Sequence, residues 1–250
     1  MTLVSQYTIK KIDNSYILYD ADVISNPVLE IFDRDCHSNN DQSLSSDLSG
    51  EVGIGRAKVV YFHRDNKNMV LKHYFRGGLV ATIVKDQYFG TDIEKTRAFR
   101  EWRLLKEMKK LDLPVPNAIA AHVRLGVLYY RADLITQKIE NSKTLSDVLI
   151  NEAIGDELWK EVGSCIRKFH DKNVYHADLN ARNILLTEGG KVYLIDFDNS
   201  DFRPGALSWK AGNLARLKRS LLKFKKNEKH FNFCEDDWSF FLEGYNQSSD

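Results

Sequence analysis

The sequence predicts an α+β chain, with strands gathered before about residue 137 and helices dominating after it. Three observations carry that prediction. Short β-branched and aromatic runs bounded by turn residues fill much of the first half. Apolar residues at spacings of three and four fill the second. Between them, the polar stretch "YHADLNARNILL" at 175–186 is hemmed by apolar runs and followed by "YLIDFDNS" at 193–200.

The elements can be justified in order. "HSNNDQSLSSDLS" at 37–49 is polar and turn-rich and reads as a loop or insert. "AKVVYFHR" and "NMVLKHYF", separated by "DNKN", predict a hairpin. After the "RGG" turn at 76–78, a helix is expected from about Glu94 to Leu111, closed by "LPVP" because proline cannot continue it. "AIAAHVRL" and "VLYYRADLIT" predict two further strands. "ELWKEVGSCIRKFH" at 157–170 is the clearest helical period, and "WKAGNLARLKRSLLKFKK" at 209–226 is a second, amphipathic one. The boundaries expected are a first lobe over 1–137, a hinge at 138–141 and a helical lobe over 142–250, with the joint near Gln137 to Asn141.

With 250 residues, 43% of them apolar and 28% charged, the chain can bury a substantial core. Its net charge of +1 conceals an asymmetry. Residues 1–50 hold 3 Lys/Arg against 8 Asp/Glu, or −5, whereas residues 203–230 hold 9 against 1, or +8. The basic segment suggests either a solvated helix face or a surface for an anionic partner. It lacks a nucleic-acid motif or aromatic interleaving, so no nucleic acid is expected. Three widely spaced cysteines without a CxxC pair imply no disulfide or zinc framework, and Cys165 reads as a small core residue. The N-terminus lacks the apolar run of a signal peptide, and no stretch approaches a membrane span. The expectation is a soluble protein of a reducing compartment, with attachment to a membrane surface left open.

The chemistry lies in the polar motif. Phosphoryl transfer from ATP requires a carboxylate to orient the acceptor hydroxyl, oxygen ligands for a metal and a cation on the phosphates. His176, Asp178 and Asn183 fit HxDxxxxN, and Asp196 follows in "LIDFD". In the protein-kinase arrangement Asp178 is the base, and Asn183 with Asp196 holds Mg²⁺, a hard ion that prefers oxygen. His176 and His170 read as packing residues rather than bases. Upstream, Lys72 ends an apolar strand and needs an anionic partner or a path to water. Glu101 falls inside the apolar stripe of the predicted helix, with Ala98, Phe99, Trp102, Leu105 and Met108, and is costly there unless paired. A Lys72–Glu101 pair would set the lysine on the nucleotide's phosphates. Gly53 and Gly55 in "GEVGIGRAKVVYF" suit a phosphate cradle, although Lys58 stands where a third glycine is expected.

"LKHYFRGGL", "LPVP", "DLITQKIEN", "HADLNARNILL", "LIDFDNS" and "WKAGNLARLKRSL" together resemble the 3-deoxy-D-manno-octulosonic acid (Kdo) kinases of Gram-negative bacteria, in the lipopolysaccharide kinase family. The likeness runs from about Gly53 to Phe224. It implies a bilobal protein-kinase-like fold and ATP-dependent phosphorylation, with Mg²⁺, of the 4-hydroxyl of Kdo on lipid A precursor. The setting it implies is the cytoplasmic face of the inner membrane. By the same resemblance Asp178 matches the base, Asn183 and Asp196 the metal ligands, Lys72 and Glu101 the phosphate-positioning pair, and "QKI", with Gln137 and Ile139, the adenine-facing hinge. Arg182, Lys210, Arg216 and Arg219 are candidates for an acidic sugar on an anionic lipid. "DFD" replaces DFG and no APE segment follows, which argues against a protein substrate and a switchable activation loop. The alternatives are a small-molecule kinase of the aminoglycoside or choline type, and a non-catalytic nucleotide-binding scaffold.

Overall fold

The computed structural model describes residues 7–33, 37, 57–75, 88–205 and 208–247. The chain divides into two compact units, Met1–Lys106 with Asn117–Lys138 and Glu107–Pro116 with Ile139–Asp250.

The first unit is built on an antiparallel sheet of seven strands: β1 (Tyr7–Ile12), β2 (Ser15–Asp20), β3 (Ala57–Arg64), β4 (Lys67–Tyr74), β5 (Tyr88–Phe89), β6 (Ala118–Leu125) and β7 (Tyr129–Gln137). Their order is β1-β2-β6-β7-β4-β3, with β5 added to β7. The β3–β4 hairpin expected at "DNKN" closes through Asp65 and Asn66, both at positive φ (50° and 58°), as a two-residue turn matched to strand twist requires. The β1–β2 hairpin was not legible in the sequence. In β2, Ile17, Leu18 and Tyr19 are all buried, because both faces of this interior strand are covered. Ile17 and Tyr19 pack with Ile24, Ile31 and Phe32, so the strand shows no polar alternation to betray it.

Helix α1 (Arg97–Lys110) begins three residues later than expected. Asp92 accepts the N–H of Glu94 and caps a separate 3₁₀ turn, Ile93–Lys95, after which Thr96 is extended. Ala98, Phe99, Trp102, Leu105 and Met108 are buried, as the predicted stripe requires. A polar cluster sits inside the sheet. Asp133 on β7 faces His73 on β4 and His122 on β6 in register, and its two oxygens reach His73 Nδ1 at 2.5 Å and His122 Nδ1 at 3.0 Å. Burial pushes the Asp133 carboxyl up, but the two histidine hydrogen bonds outweigh it and hold it below its ordinary value.

The second unit is mainly helical, with α2 (Leu145–Asn151), α3 (Asp156–Asp171), α4 (Ser208–Asn227) and α5 (Glu235–Asn246). Strands β8 (Ser142–Thr144), β10 (Ile184–Thr187) and β11 (Val192–Leu194) form one small sheet; β9 (Val174–Tyr175) and β12 (Asp201–Phe202) form another. Helices α3 and α5 approach until their backbones nearly touch. A Cβ at Gly163 would stand 2.0 Å from the Phe241 carbonyl oxygen, and one at Gly244 would stand 2.0 Å from that of Lys160. Only glycine permits that crossing. Cys165 is buried as expected, and burial pushes its thiol up to about 12, so it remains a packing group.

Candidate active site

The motif at 175–186 forms a loop between β9 and β10 whose backbone is fixed by side chains from several elements. His176 is buried and spans it. Its Nε2 lies 3.0 Å from the Ile195 carbonyl and its Nδ1 lies 3.1 Å from the Asp178 amide. One nitrogen must donate and the other accept, which selects the neutral Nε2–H tautomer. The ring also packs on Phe197, at 4.7 Å between centroids. His176 is therefore a brace, as the sequence reading held.

Asp178 is held by its backbone and presents its carboxylate outward. Its carbonyl accepts from Asn183 Nδ2 at 2.9 Å and from Asn180 Nδ2 at 3.0 Å, while its side chain is 63% exposed. A carboxylate displayed from so fixed a backbone can take a proton from a hydroxyl without reorganising. Asn183 is nine-tenths buried, and because its Nδ2 is committed to Asp178, its Oδ1 is turned the other way. Ile195 N–H donates to the Asn183 carbonyl at 3.0 Å, which sets Asp196 next to that pairing. Asp196 has φ +62°, an uncommon conformation for a non-glycine residue. An amide oxygen and a carboxylate are oxygen donors of the kind a hard divalent cation prefers.

In the first unit, Lys72 Nζ donates to both oxygens of Glu101, at 3.0 and 2.8 Å, and Tyr74 Oη donates to Glu101 Oε2 at 2.6 Å. The Glu101 side chain is 3% exposed and that of Lys72 13%. Period 2 along β4 aims Lys72 and Tyr74 at one face, and the 3.6 period along α1 aims Glu101 back at them. The pairing expected from the stranded charges is thus present.

The remaining expected residues are distributed unevenly. Arg216 on α4 brings a guanidinium nitrogen to 3.6 Å from Asp178 Oδ1. Arg182 is exposed and lies over the Phe224 ring at 5.1 Å, Lys210 lies near the Trp209 ring at 5.8 Å, and Arg219 is exposed. At the expected hinge, the Gln137 amide donates to the Asn117 carbonyl, the Lys138 amide donates to the Asn68 carbonyl, and the Ile139 carbonyl accepts from Ser142 Oγ. Gly53, Gly55 and the "RGG" turn lie outside the described residues, as does most of 37–49.

Several site residues escaped the sequence reading. Asn213 is buried on α4 and pairs with the His176 backbone through both amide atoms, at 3.3 and 2.9 Å. Ser200 Oγ receives the Ala177 amide and Ser220 Oγ the Ala181 amide. The one available signal was Asn213 standing within one turn of Leu217 on the buried stripe, where an amide without a partner is costly.

A carboxylate on a braced loop, an amide and a second carboxylate on hydrogen-bonded segments beside it, and a buried lysine–glutamate pair are the residue types an ATP-using phosphotransferase employs. Comparison with known proteins narrows that class. A model of the lipopolysaccharide kinase (Kdo/WaaP) family matches residues 51–245, and the chain belongs to that family. It is 44% identical over 182 residues to a 3-deoxy-D-manno-octulosonic acid kinase of Actinobacillus succinogenes, covering 71% of this chain and 75% of that one. It is 35% identical over 243 residues to a protein of the same name from Haemophilus influenzae, covering 94% and 98%. A third, from Photobacterium profundum, is 34% identical over 233 residues, covering 93% and 95%.

Proposed function

We propose that this protein is a 3-deoxy-D-manno-octulosonic acid kinase of lipopolysaccharide core biosynthesis, transferring the γ-phosphoryl group of ATP to the 4-hydroxyl of a Kdo sugar on lipid A precursor. The observation that carries the reading is the likeness, over nearly the whole chain, to relatives bearing that name; the Lys72–Glu101 pair and the braced loop that holds Asp178 support it. Lys72, fixed by Glu101 and Tyr74, binds and orients the phosphates. Asp178 orients the acceptor hydroxyl and takes its proton as the sugar oxygen bonds to the γ-phosphorus, the β–γ bridging bond breaks and ADP leaves with that electron pair. Asn183 Oδ1 and Asp196 would hold Mg²⁺, which supplies charge neutralisation on the phosphates when bound. The Gln137–Ile139 backbone meets adenine, and a cradle at Gly53 and Gly55 covers the phosphates. Arg216 beside Asp178 offers a cation to an acidic sugar, with Arg182, Lys210 and Arg219 around it. An amine acceptor, as in aminoglycoside or choline kinases, would be repelled by that guanidinium. The reaction takes place at the cytoplasmic face of the inner membrane, where a lipid-borne acceptor resides.

The test is mass spectrometry of Kdo-bearing lipid A precursor after incubation with protein, ATP and Mg²⁺, beside Asp178→Asn. One phosphate on the sugar with the wild type, reduced on the order of 10²- to 10⁴-fold with the variant while ATP still binds, is expected. No phosphorylated sugar despite ATP binding would overturn the acceptor assignment.

A further inference from the structure

Among the described residues, the three most exposed large apolar side chains are Val127 (86%), Phe89 (78%) and Leu128 (59%), and they fall together. Val127 and Leu128 form the tip of the β6–β7 hairpin, and Phe89 on β5 pairs in register with Tyr129 beside them. The tip is a tight turn. The Gly126 amide donates to the Tyr129 carbonyl at 2.7 Å, and the Tyr129 ring lies where a Cβ on residue 126 would stand, 2.7 Å from the nearest ring carbon. The glycine lets the ring fold over the turn, which leaves Val127 and Leu128 projecting. Behind the tip, Arg124 and Arg131 stand opposite each other in register, both exposed. Strand alternation puts Phe89, Tyr129, Arg131 and Arg124 on one face. The stretch 124–131, "RLGVLYYR", contains no acid; Asp92 and Glu94, which follow Phe89 in the chain, pair with Lys95 and Arg103, and Asp13 and Asp33 line a cavity with Arg124 behind the tip.

We propose that this hairpin tip docks the protein onto an anionic lipid bilayer, with Val127, Leu128 and Phe89 entering the headgroup–acyl boundary, Tyr129 at headgroup level, and Arg124 toward lipid phosphates. Aliphatic and aromatic groups rimmed by arginine match the polarity gradient of a membrane interface. The form of the patch favours lipid over protein. It is convex, and its four side chains expose on the order of 500 Å², short of the roughly 800 Å² per partner of a stable protein interface. The motive for docking rests on the lipid-borne acceptor proposed above, but the surface itself is defined by the first unit alone.

The test is flotation of the full-length protein with vesicles of phosphatidylethanolamine and phosphatidylglycerol, and with phosphatidylcholine vesicles. No acceptor lipid is present, so failure here and failure of the kinase assignment are separable. Wild-type protein should float with the anionic vesicles, and Val127→Asp/Leu128→Asp should lower the bound fraction at least about tenfold with an unchanged melting temperature. Arg124→Glu should weaken binding and flatten its salt dependence. Lys225→Glu/Lys226→Glu on the basic helix α4 should weaken binding less than the tip variant does. Flotation of the tip variant equal to wild type would overturn the proposal. So would no wild-type flotation, or sedimentation velocity showing a wild-type dimer that the tip variant dissociates, which would assign the face to a second copy of the chain.

Discussion

Replacing Lys72 by methionine tests whether the buried ion pair is a coupled unit. Glu101 sits in an apolar helix stripe with a side chain only 3% exposed, and Lys72 donates to both of its oxygens while Tyr74 donates to one. Lys72→Met therefore takes from this buried carboxylate the ammonium that donates to both its oxygens and leaves the Tyr74 hydroxyl bond in place. Breaking a buried pair in this way costs about 3–5 kcal/mol. Glu101→Leu removes the carboxylate from the ammonium instead, but with 13% exposure and four methylenes Lys72 can turn toward water, so a smaller loss of about 2–3 kcal/mol is expected. The double variant Lys72→Met/Glu101→Leu removes both charges and fills the space with carbon. Its cost should fall to about 1–2 kcal/mol, much of it from Tyr74 losing its carboxylate acceptor. The coupling energy is then at least about 2 kcal/mol. Urea unfolding without nucleotide, followed by the fluorescence of buried Trp102 on α1 among the other tryptophans, measures all four states. Single-variant costs that add within about 0.5 kcal/mol would refute the reasoning.

Charge reversal at Arg216 and Arg219 should raise the KM for the lipid acceptor while leaving nucleotide binding intact; an unchanged acceptor KM excludes them from recognition. Gly163→Ala places a methyl 2.0 Å from the Phe241 carbonyl oxygen and 2.7 Å from the Tyr245 amide nitrogen. Both are backbone atoms, so α5 must shift, and thermal unfolding should record a loss of about 1–3 kcal/mol or more. Burial pushes His170 down to about 4 from its ordinary value near 6.5, with its Nδ1 against the Tyr245 hydroxyl. The unfolded chain then binds a proton that the folded chain refuses, so this contribution is fully present above pH 6.5 and is lost as pH falls toward 4. It amounts to about 3 kcal/mol. His170→Gln should flatten the urea midpoint over that interval, and an unchanged slope would remove His170 as its source.

The sequence by itself determined the elements whose periodicity is one-sided and the chemistry whose residues are close in the chain. Helices α1, α3 and α4 were legible because each has an apolar stripe and a wet face. HxDxxxxN was legible because a loop that displays a carboxylate from a backbone held by a histidine and an asparagine needs all three within a few residues. Lys72 and Glu101 were foreseen by a different route, as charges placed where charge is costly without a partner. Tertiary structure decided the rest. Hairpin β1–β2 was hidden because burial on both faces of β2 erases the alternation that marks a strand. Asn213, Ser200 and Ser220 brace the catalytic loop from 20 to nearly 40 residues away, and nothing local distinguishes them from ordinary polar side chains. The glycine crossing of α3 and α5 has the same cause. A glycine is needed wherever another backbone comes close, and which backbone does so is a property of packing, not of the neighbouring letters.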